Sequence, residues 1–240
     1  MDIPVIPLRI KRNMMMSSDI VFDRSSMAMT EDAVSYEGII TGLETVCGKD
    51  TPLLIADVKG MQKRDIVPDI LKRMKIKREL WLMTGIRNSE DVMDAFNGDI
   101  SKAVVPYHFT SDALLREITE LSDSCIPALF TDNGTVLGNT RTAGKGTAHG
   151  QTGSRRNGLR DVVRTMEGMN FRKVLVFDVT GSGSAENAGD PVRIWEGISD
   201  LSDIVIPYVP SGTKDYIGAV RGLGFSDVTA PAVRLVRNGL

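Results

Sequence analysis

Short apolar runs with a polar tip, each followed by a helix-length segment, recur along this chain from one end to the other. The sharpest is residues 173–184, Lys-Val-Leu-Val-Phe-Asp-Val-Thr-Gly-Ser-Gly-Ser, whose apolar residues are broken only by Asp178 and lead into a loop of small residues. Such a run reads as a parallel strand buried on both faces that delivers a site at its carboxyl end. Comparable runs occupy residues 5–10, 53–58, 80–83, 103–106, 127–130, 204–208 and 227–233. Strands that alternate with helices in this way are joined by crossovers and therefore lie parallel in a sheet.

The intervals carry helix signals. Thr30, followed by Glu31 and Asp32, reads as the cap of a helix that Gly48 stops after about Cys47. Residues 65–77 put Ile66, Ile70 and Met74 on one face. Asn88 or Ser89 caps a helix to Phe96, Ser111 caps residues 112–121, and a helix to about Met169 precedes the sixth strand. Asp190-Pro191 starts another and residues 213–222 form one more, after which the chain ends before a full eighth helix. Residues 11–30, rich in Met and Ser, read as irregular, and residues 131–158, crowded with Gly, Thr and Arg, as a long interruption.

No linker or shift in composition divides the 240 residues, so one domain over residues 1–240 is expected. Eight β–α units in one domain close most economically into a (β/α)8 barrel, a TIM barrel, here with a short or missing eighth helix. The alternative, an open doubly wound sheet, ordinarily carries a glycine fingerprint after its first strand, where this chain has Ile-Lys-Arg-Asn-Met. A net charge of -2 argues against general nucleic-acid binding. Cys47 and Cys125 fall in no metal-ligand spacing and read as buried thiols, so no metal and no cofactor is expected. The first residues lack the basic start and apolar core of a signal peptide, and no run approaches the ~20 apolar residues that cross a bilayer. The expectation is a soluble, cytoplasmic protein with no membrane partner, its oligomeric state unread.

In a barrel the carboxyl ends of the strands share one rim, which holds the active site. Arg9, Asp57, Lys59, Thr84, His108, Asp132, Asp178 and Tyr208 fall at such ends. Asp57 and Asp178 each end an apolar strand, where desolvation raises a carboxyl pKa and suits it to proton transfer. The alternative is that each accepts hydrogen bonds from the following loop. Asp132 is a further acid or base, although Asp-Asn-Gly also spells a turn. The loop 138–158 carries Arg141, Lys145, His149, Arg155 and Arg156 among glycines and threonines, a mixture suited to a phosphate or carboxylate. It would hang over the rim as a lid, or else be a mobile surface loop. The amides of Gly181, Ser182 and Gly183, and of Ser211 and Gly212, are further anion candidates, or serve only tight turns. Met14, Met15, Met16, Met27 and Met29 form an adaptable apolar group in the first loop, while Trp81 and Trp195 read as packing residues.

Five segments in order carry a family likeness. They are Ile6-Pro7-Leu8-Arg9-Ile10, Leu54-Ile55-Ala56-Asp57-Val58, Thr84-Gly85-Ile86-Arg87-Asn88-Ser89-Glu90-Asp91-Val92, Val176-Phe177-Asp178-Val179-Thr180-Gly181-Ser182-Gly183 and Ser211-Gly212. Their succession resembles the histidine-biosynthesis isomerase and cyclase barrels, the HisA/HisF type, over nearly the whole chain. The third segment is the best local match, similar to the family's Gly-Gly-Ile-Arg and acidic helix start. The resemblance implies phosphate-binding loops and general acid–base chemistry by acids at the tips of strands one and five. This chain departs from that pattern. It has Arg9, Ile10 and Lys11 at the first tip, Phe130 at the fifth with Asp132 two residues on, and Ser182 at the third acid position. Val105-Pro106-Tyr107 and Ala230-Pro231-Ala232 replace the small residues of the phosphate clamps. Resemblance and departures together imply a divergent paralogue with a reaction outside the histidine pathway.

Two functions stay open. One is an isomerase- or lyase-type enzyme that moves protons on a phosphorylated sugar or related small phosphometabolite. Asp57 and Asp178 would shuttle the protons, and the basic fifth loop with Ser211–Gly212 would hold the anion. The other is a non-catalytic relative that keeps an anion-binding rim as a binding or regulatory subunit. The missing first-strand acid favours the second, and the charged rim favours the first.

Overall fold

In the computed structural model, which describes residues 1–11, 14–18, 20–23, 26–29, 34–63, 78–137, 158–179 and 192–239, strands and helices alternate. The chain opens with β1 (Asp2–Lys11), then β2 (Met14–Ser17), β3 (Ile20–Asp23), β4 (Ser26–Met29), β5 (Val34–Ser35) and helix α1 (Tyr36–Val46). Next come β6 (Leu53–Asp57), α2 (Val58–Lys63), β7 (Leu80–Met83), α3 (Ser89–Asn97) and β8 (Lys102–Pro106). A short helical turn, Tyr107–Phe109, leads to α4 (Asp112–Leu121), β9 (Cys125–Asp132), β10 (Thr135–Val136) and α5 (Leu159–Gly168). The remainder is β11 (Val174–Asp178), α6 (Arg193–Glu196), β12 (Val205–Pro207), α7 (Lys214–Gly222), β13 (Val228–Pro231) and α8 (Ala232–Asn238).

The fold is mixed α/β, with a mostly parallel central sheet. From β1 the strands β6, β7, β8, β9, β11 and β12 follow in order, each parallel to the last. On its other side β1 pairs with β13, again in parallel, with Asp2 opposite Val228. A single bridge, Tyr208 to Thr229, joins the end of β12 to β13. There Val209 N donates to Thr229 O at 2.7 Å, and Thr229 Oγ1 donates to Pro207 O at 3.1 Å.

Side chains alternate across each strand, and the two faces of the sheet have different partners. Leu8, Leu53, Ile55, Leu82, Val174 and Val176 pack with helix residues such as Leu43, Val163 and Trp195. Val5, Leu54, Ala56, Trp81, Met83, Phe130, Leu175, Phe177 and Ile206 form a second cluster, mostly of strand residues, joined by Val58 and Met61 of α2. One face therefore packs on helices, and the other, called inner below, packs mainly strand against strand, with α2 added. In the parallel strands nearly every described position is buried, as every residue of β6 and β7 illustrates.

Three local readings change. The Met-rich stretch expected to be irregular forms antiparallel strands, with β2 on β1, β5 on β2, and β3 paired to β4. Its burial follows a strand period, Met14 and Met16 being more open than Met15 and Ser17. The first helix begins at Tyr36, later than a Thr30 cap would start it, because Ser35 Oγ accepts from Gly38 N at 3.2 Å. The interruption expected from residue 131 opens as a hairpin, since Asn133 and Gly134 both take positive φ (49° and 73°) and turn β9 back into β10. The expected helix over residues 65–77 and its Asp190-Pro191 counterpart lie outside the described residues. Both cysteines are free thiols. Among the described residues no helix is long and apolar enough to cross a membrane.

The start of the chain meets the start of β13. Val228 N donates to Met1 O at 2.9 Å, and the N-terminal ammonium lies 3.5 Å from the Asp227 carboxylate. Helix α8 abuts α1 at Gly42, where an added Cβ would stand 2.7 Å from Val236 Cγ1. The missing side chain sets how closely these helices approach. Gly42→Leu should therefore overpack the contact and destabilise the protein by about 1–3 kcal/mol. Urea unfolding should show a lower midpoint at unchanged slope, partly restored by adding Val236→Ala; an unchanged midpoint for Gly42→Leu would contradict the contact.

Candidate functional site

Asp57 ends β6 and is 1% exposed. Its Oδ1 accepts from Gly60 N at 2.9 Å, capping α2, and its Oδ2 accepts from Thr84 Oγ1 at 3.0 Å. Asp178 ends β11 and accepts from Thr131 Oγ1 of β9 at 2.9 Å. Each acid is thus clasped by a threonine on an adjoining strand. Asp57 alternates with Leu53 and Ile55, and Asp178 with Val174 and Val176, all of which face helices. Along the sheet β7, β8 and β9 stand between the two acids. The structure does not bring Asp57 and Asp178 together.

The other named residues are distributed as follows. Asp132 is exposed at the Asn-Gly hairpin, opposite Thr135, where it serves the turn. Lys59 is exposed on α2. Gly212 takes φ +57°, and its amide is already committed to Val209 O at 3.2 Å. Asn238 Nδ2 donates to Ser211 O and Gly212 O at 3.3 and 2.9 Å, tying this turn to α8. Arg141, Lys145, His149, Gly181, Ser182 and Gly183 lie outside the described residues.

The inner face presents a run of rings at the carboxyl ends of the strands. His108, just after β8, lies 3.6 Å from Phe109 and 4.9 Å from Phe130 between ring centres, edge-on to the latter. Phe130 stacks on Phe177 at 5.2 Å, and Phe177 meets Tyr208 at 4.8 Å. The run follows from register, because Phe130 and Phe177 sit directly opposite each other in β9 and β11. His108, Phe130, Phe177 and Tyr208 are buried, and Phe109 is half-buried. Arg9, which alternates with Ile3 and Val5, belongs to the same face and stands opposite Met16 of β2. Its Nε is buried and has no hydrogen-bond partner among the described residues. Ile20 and Met29 of the β3–β4 hairpin, with Phe109 and Leu137, pack against this inner cluster. The sequence marks His108, Tyr208 and Arg9 as strand-end residues. Phe130 and Phe177 become visible only when the two strands are aligned on their tips.

The Ile-Arg segment before α3 builds a helix start. Asn88 Oδ1 accepts from Asp91 N at 2.9 Å, and the Asp91 carboxylate accepts from Arg87 N, Nε and Nη2 at 2.7, 3.2 and 3.2 Å. Burial pushes the Asp91 carboxyl up, but the Arg87 hydrogen bonds and charge, with the Asn88 backbone, outweigh it and hold the group below the ordinary carboxylate range. At the opposite end of the strands, a cleft of about 430 Å³ is lined by Asp123, Cys125, Asn170 and Arg172 among others. Burial, with a smaller push from Asp123, raises the Cys125 thiol to about 12, which keeps it protonated and unreactive. Among the described residues, no three His, Cys, Asp or Glu side chains gather as a metal site.

Neither a protein-family model nor a curated protein matches the chain.

Removing the Asp57 carboxylate leaves Gly60 N and Thr84 Oγ1 without their acceptor. Asp57→Ala should destabilise by about 1–3 kcal/mol in urea titrations, whereas exposed Asp132→Ala should stay within about 0.5 kcal/mol of the parent; equal effects would remove the structural role given to Asp57. For Asp91, a depressed folded pKa means stability that is full above the unfolded value near ~3.9 and is lost as pH falls through the folded value. Asp91→Asn should therefore flatten the acid limb of the stability–pH curve below about pH 4, and an unchanged limb would contradict the Arg87 interaction.

Proposed function

We propose that the chain forms a single (β/α)8 barrel of the HisA/HisF type and binds a small phosphorylated metabolite at the carboxyl ends of its strands. His108 transfers a proton there, in a reaction of isomerase or lyase type outside the histidine pathway. The observation that carries this reading is a buried imidazole at the end of the fourth parallel strand, on the same face of the sheet as the Arg9 guanidinium. Imidazole is the side chain whose ordinary pKa lies nearest neutrality, which suits it to general acid–base work. Arginine suits a phosphate because its planar fork donates in pairs. The pairing of β13 with β1 and the Tyr208–Thr229 bridge support closure of eight parallel strands. The order of strand tips, from Arg9 through Asp57, Arg87 and Asp178 to Ser211, supports the family likeness. Asp57 and Asp178 hold strand ends in this reading and move no protons. Arg141, Lys145 and His149, which follow β10 in sequence, and Gly181, Ser182 and Gly183, which follow β11, would complete the anion site.

One observation favours a non-catalytic relative instead: both strand-end acids are engaged by threonines. The same experiment separates the two. Inorganic phosphate and a panel of sugar phosphates should raise the melting temperature of the wild type in proportion to the logarithm of concentration. Arg9→Gln should lose that shift and His108→Gln should keep it. In D2O, the wild type should place deuterium on carbon in the stabilising ligand, about a hundredfold or more faster than His108→Gln. Binding without exchange would select the non-catalytic relative, and no stabilisation by any phosphorylated compound would sink both.

A further inference from the structure

Away from the strand ends, α3 and α4 expose two large apolar side chains, Met93 at 47% and Leu121 at 48%. They share a depression of about 350 Å³ with Ser89, Glu90 and Asp94. The helical period accounts for the placement. On α3, Val92 and Ala95 are buried while Glu90, Met93, Asp94 and Asn97 share the outer face. On α4, Leu115 and Ile118 are buried while Glu117, Glu120 and Leu121 are exposed. Ser89 Oγ donates to Glu117 Oε1 across the gap between the helices.

The surroundings are mostly acidic, the exposed Arg116 being the one basic residue of α4. Among the described residues, none of Glu90, Asp94, Glu117 and Glu120 belongs to an ion pair. Acids elsewhere on the surface do find partners. Asp200 meets Arg160 at 2.6 Å, Glu167 meets Arg164 at 2.7 Å, Asp2 meets Arg221 at 2.8 Å and Asp227 meets Lys173 at 3.1 Å. Helix α3 itself contains no basic residue.

We propose that this face docks a basic amphipathic helix of a partner protein. The helix lays apolar side chains on Met93 and Leu121 and sets Lys or Arg against Glu90, Asp94, Glu117 and Glu120, giving both burial and charge complementarity. A methionine at the centre suits an apolar surface that must adapt to its occupant. Helix α8 is a poor match from a second copy. It exposes Arg234 and Arg237, but its Val233 and Leu235 are buried and its Val236 lies against Gly42. An anionic lipid surface would be repelled by the same carboxylates.

The probes are two labelled peptides of identical amphipathic spacing, one of Lys and Leu and one of Glu and Leu, titrated into the full chain by fluorescence anisotropy. The Lys/Leu peptide should bind saturably, more weakly as salt rises, and the Glu/Leu peptide should not bind. Met93→Ala with Leu121→Ala, and separately Glu90→Gln with Asp94→Gln, should each weaken binding about tenfold or more. Hydrogen exchange should slow in residues 89–97 and 112–121 when the peptide is bound. Absence of binding, equal binding of both peptides, or unchanged affinity in either double variant overturns the proposal. Self-association that disappears in the same variants would also overturn it, by making a second copy the occupant.

Discussion

The two-residue repeat of the strands is the constraint on which this structure rests. It divides the parallel strands between a face that packs on helices and an inner face that packs mainly strand against strand. A single step along the chain exchanges the two surroundings. Phe177 joins the inner run of rings, and Asp178 beside it turns to the helix side and is held by Thr131. Asp57 follows the same rule and is held by Thr84. The chemistry available at the strand ends is therefore set by parity before it is set by residue type. Asp57 and Asp178 turn to the helix side, and the ring-bearing residues with Arg9 turn to the inner side.

The alternation of strands and helices was legible because short, wholly apolar runs have few other fates, and caps such as Asn88 and Ser111 mark helix starts through their own hydrogen bonds. Which face a strand residue occupies was not legible. In a run apolar on both sides no polar residue marks the solvent face, so Asp57 and Asp178 look alike whether they point inward or outward. The run from His108 to Tyr208 depends on the register between β9 and β11, a relation between distant segments that neither segment encodes alone. The antiparallel strands of the Met-rich region were missed for a simpler reason. Methionine carries little strand preference, and the alternation there pairs Met with Met and Ser, not apolar with charged residues.

The surface shows a comparable division. Around α5 the carboxylates are matched by guanidinium groups, Arg164 bridging Glu167 and Asp200. Exposed pairs of this kind add little stability, with a median of roughly 0–1 kcal/mol, but they leave the local potential near neutral. Between α3 and α4, among the described residues, Glu90, Asp94, Glu117 and Glu120 have no such partner, and Glu90 and Asp94 border an apolar centre of Met93 and Leu121. The two surfaces are built from similar residues and differ in how their charges are partnered.

The placement of β1 has a consequence for how the chain is made. This strand lies between β6 and β13, and β13 follows all the other described strands in sequence. Until it emerges, one edge of β1 holds unpaired N–H and C=O groups along Asp2 to Val5, which antiparallel β2 does not cover because it joins β1 only from Arg9 onward. A growing chain thus carries an open, apolar strand edge until β13 has been made, the kind of edge that recruits wrong neighbours. Its correct partner is also the most distant segment in sequence, which places this pairing among the slow steps of folding. Shielding that edge during synthesis falls to whatever first meets the nascent chain.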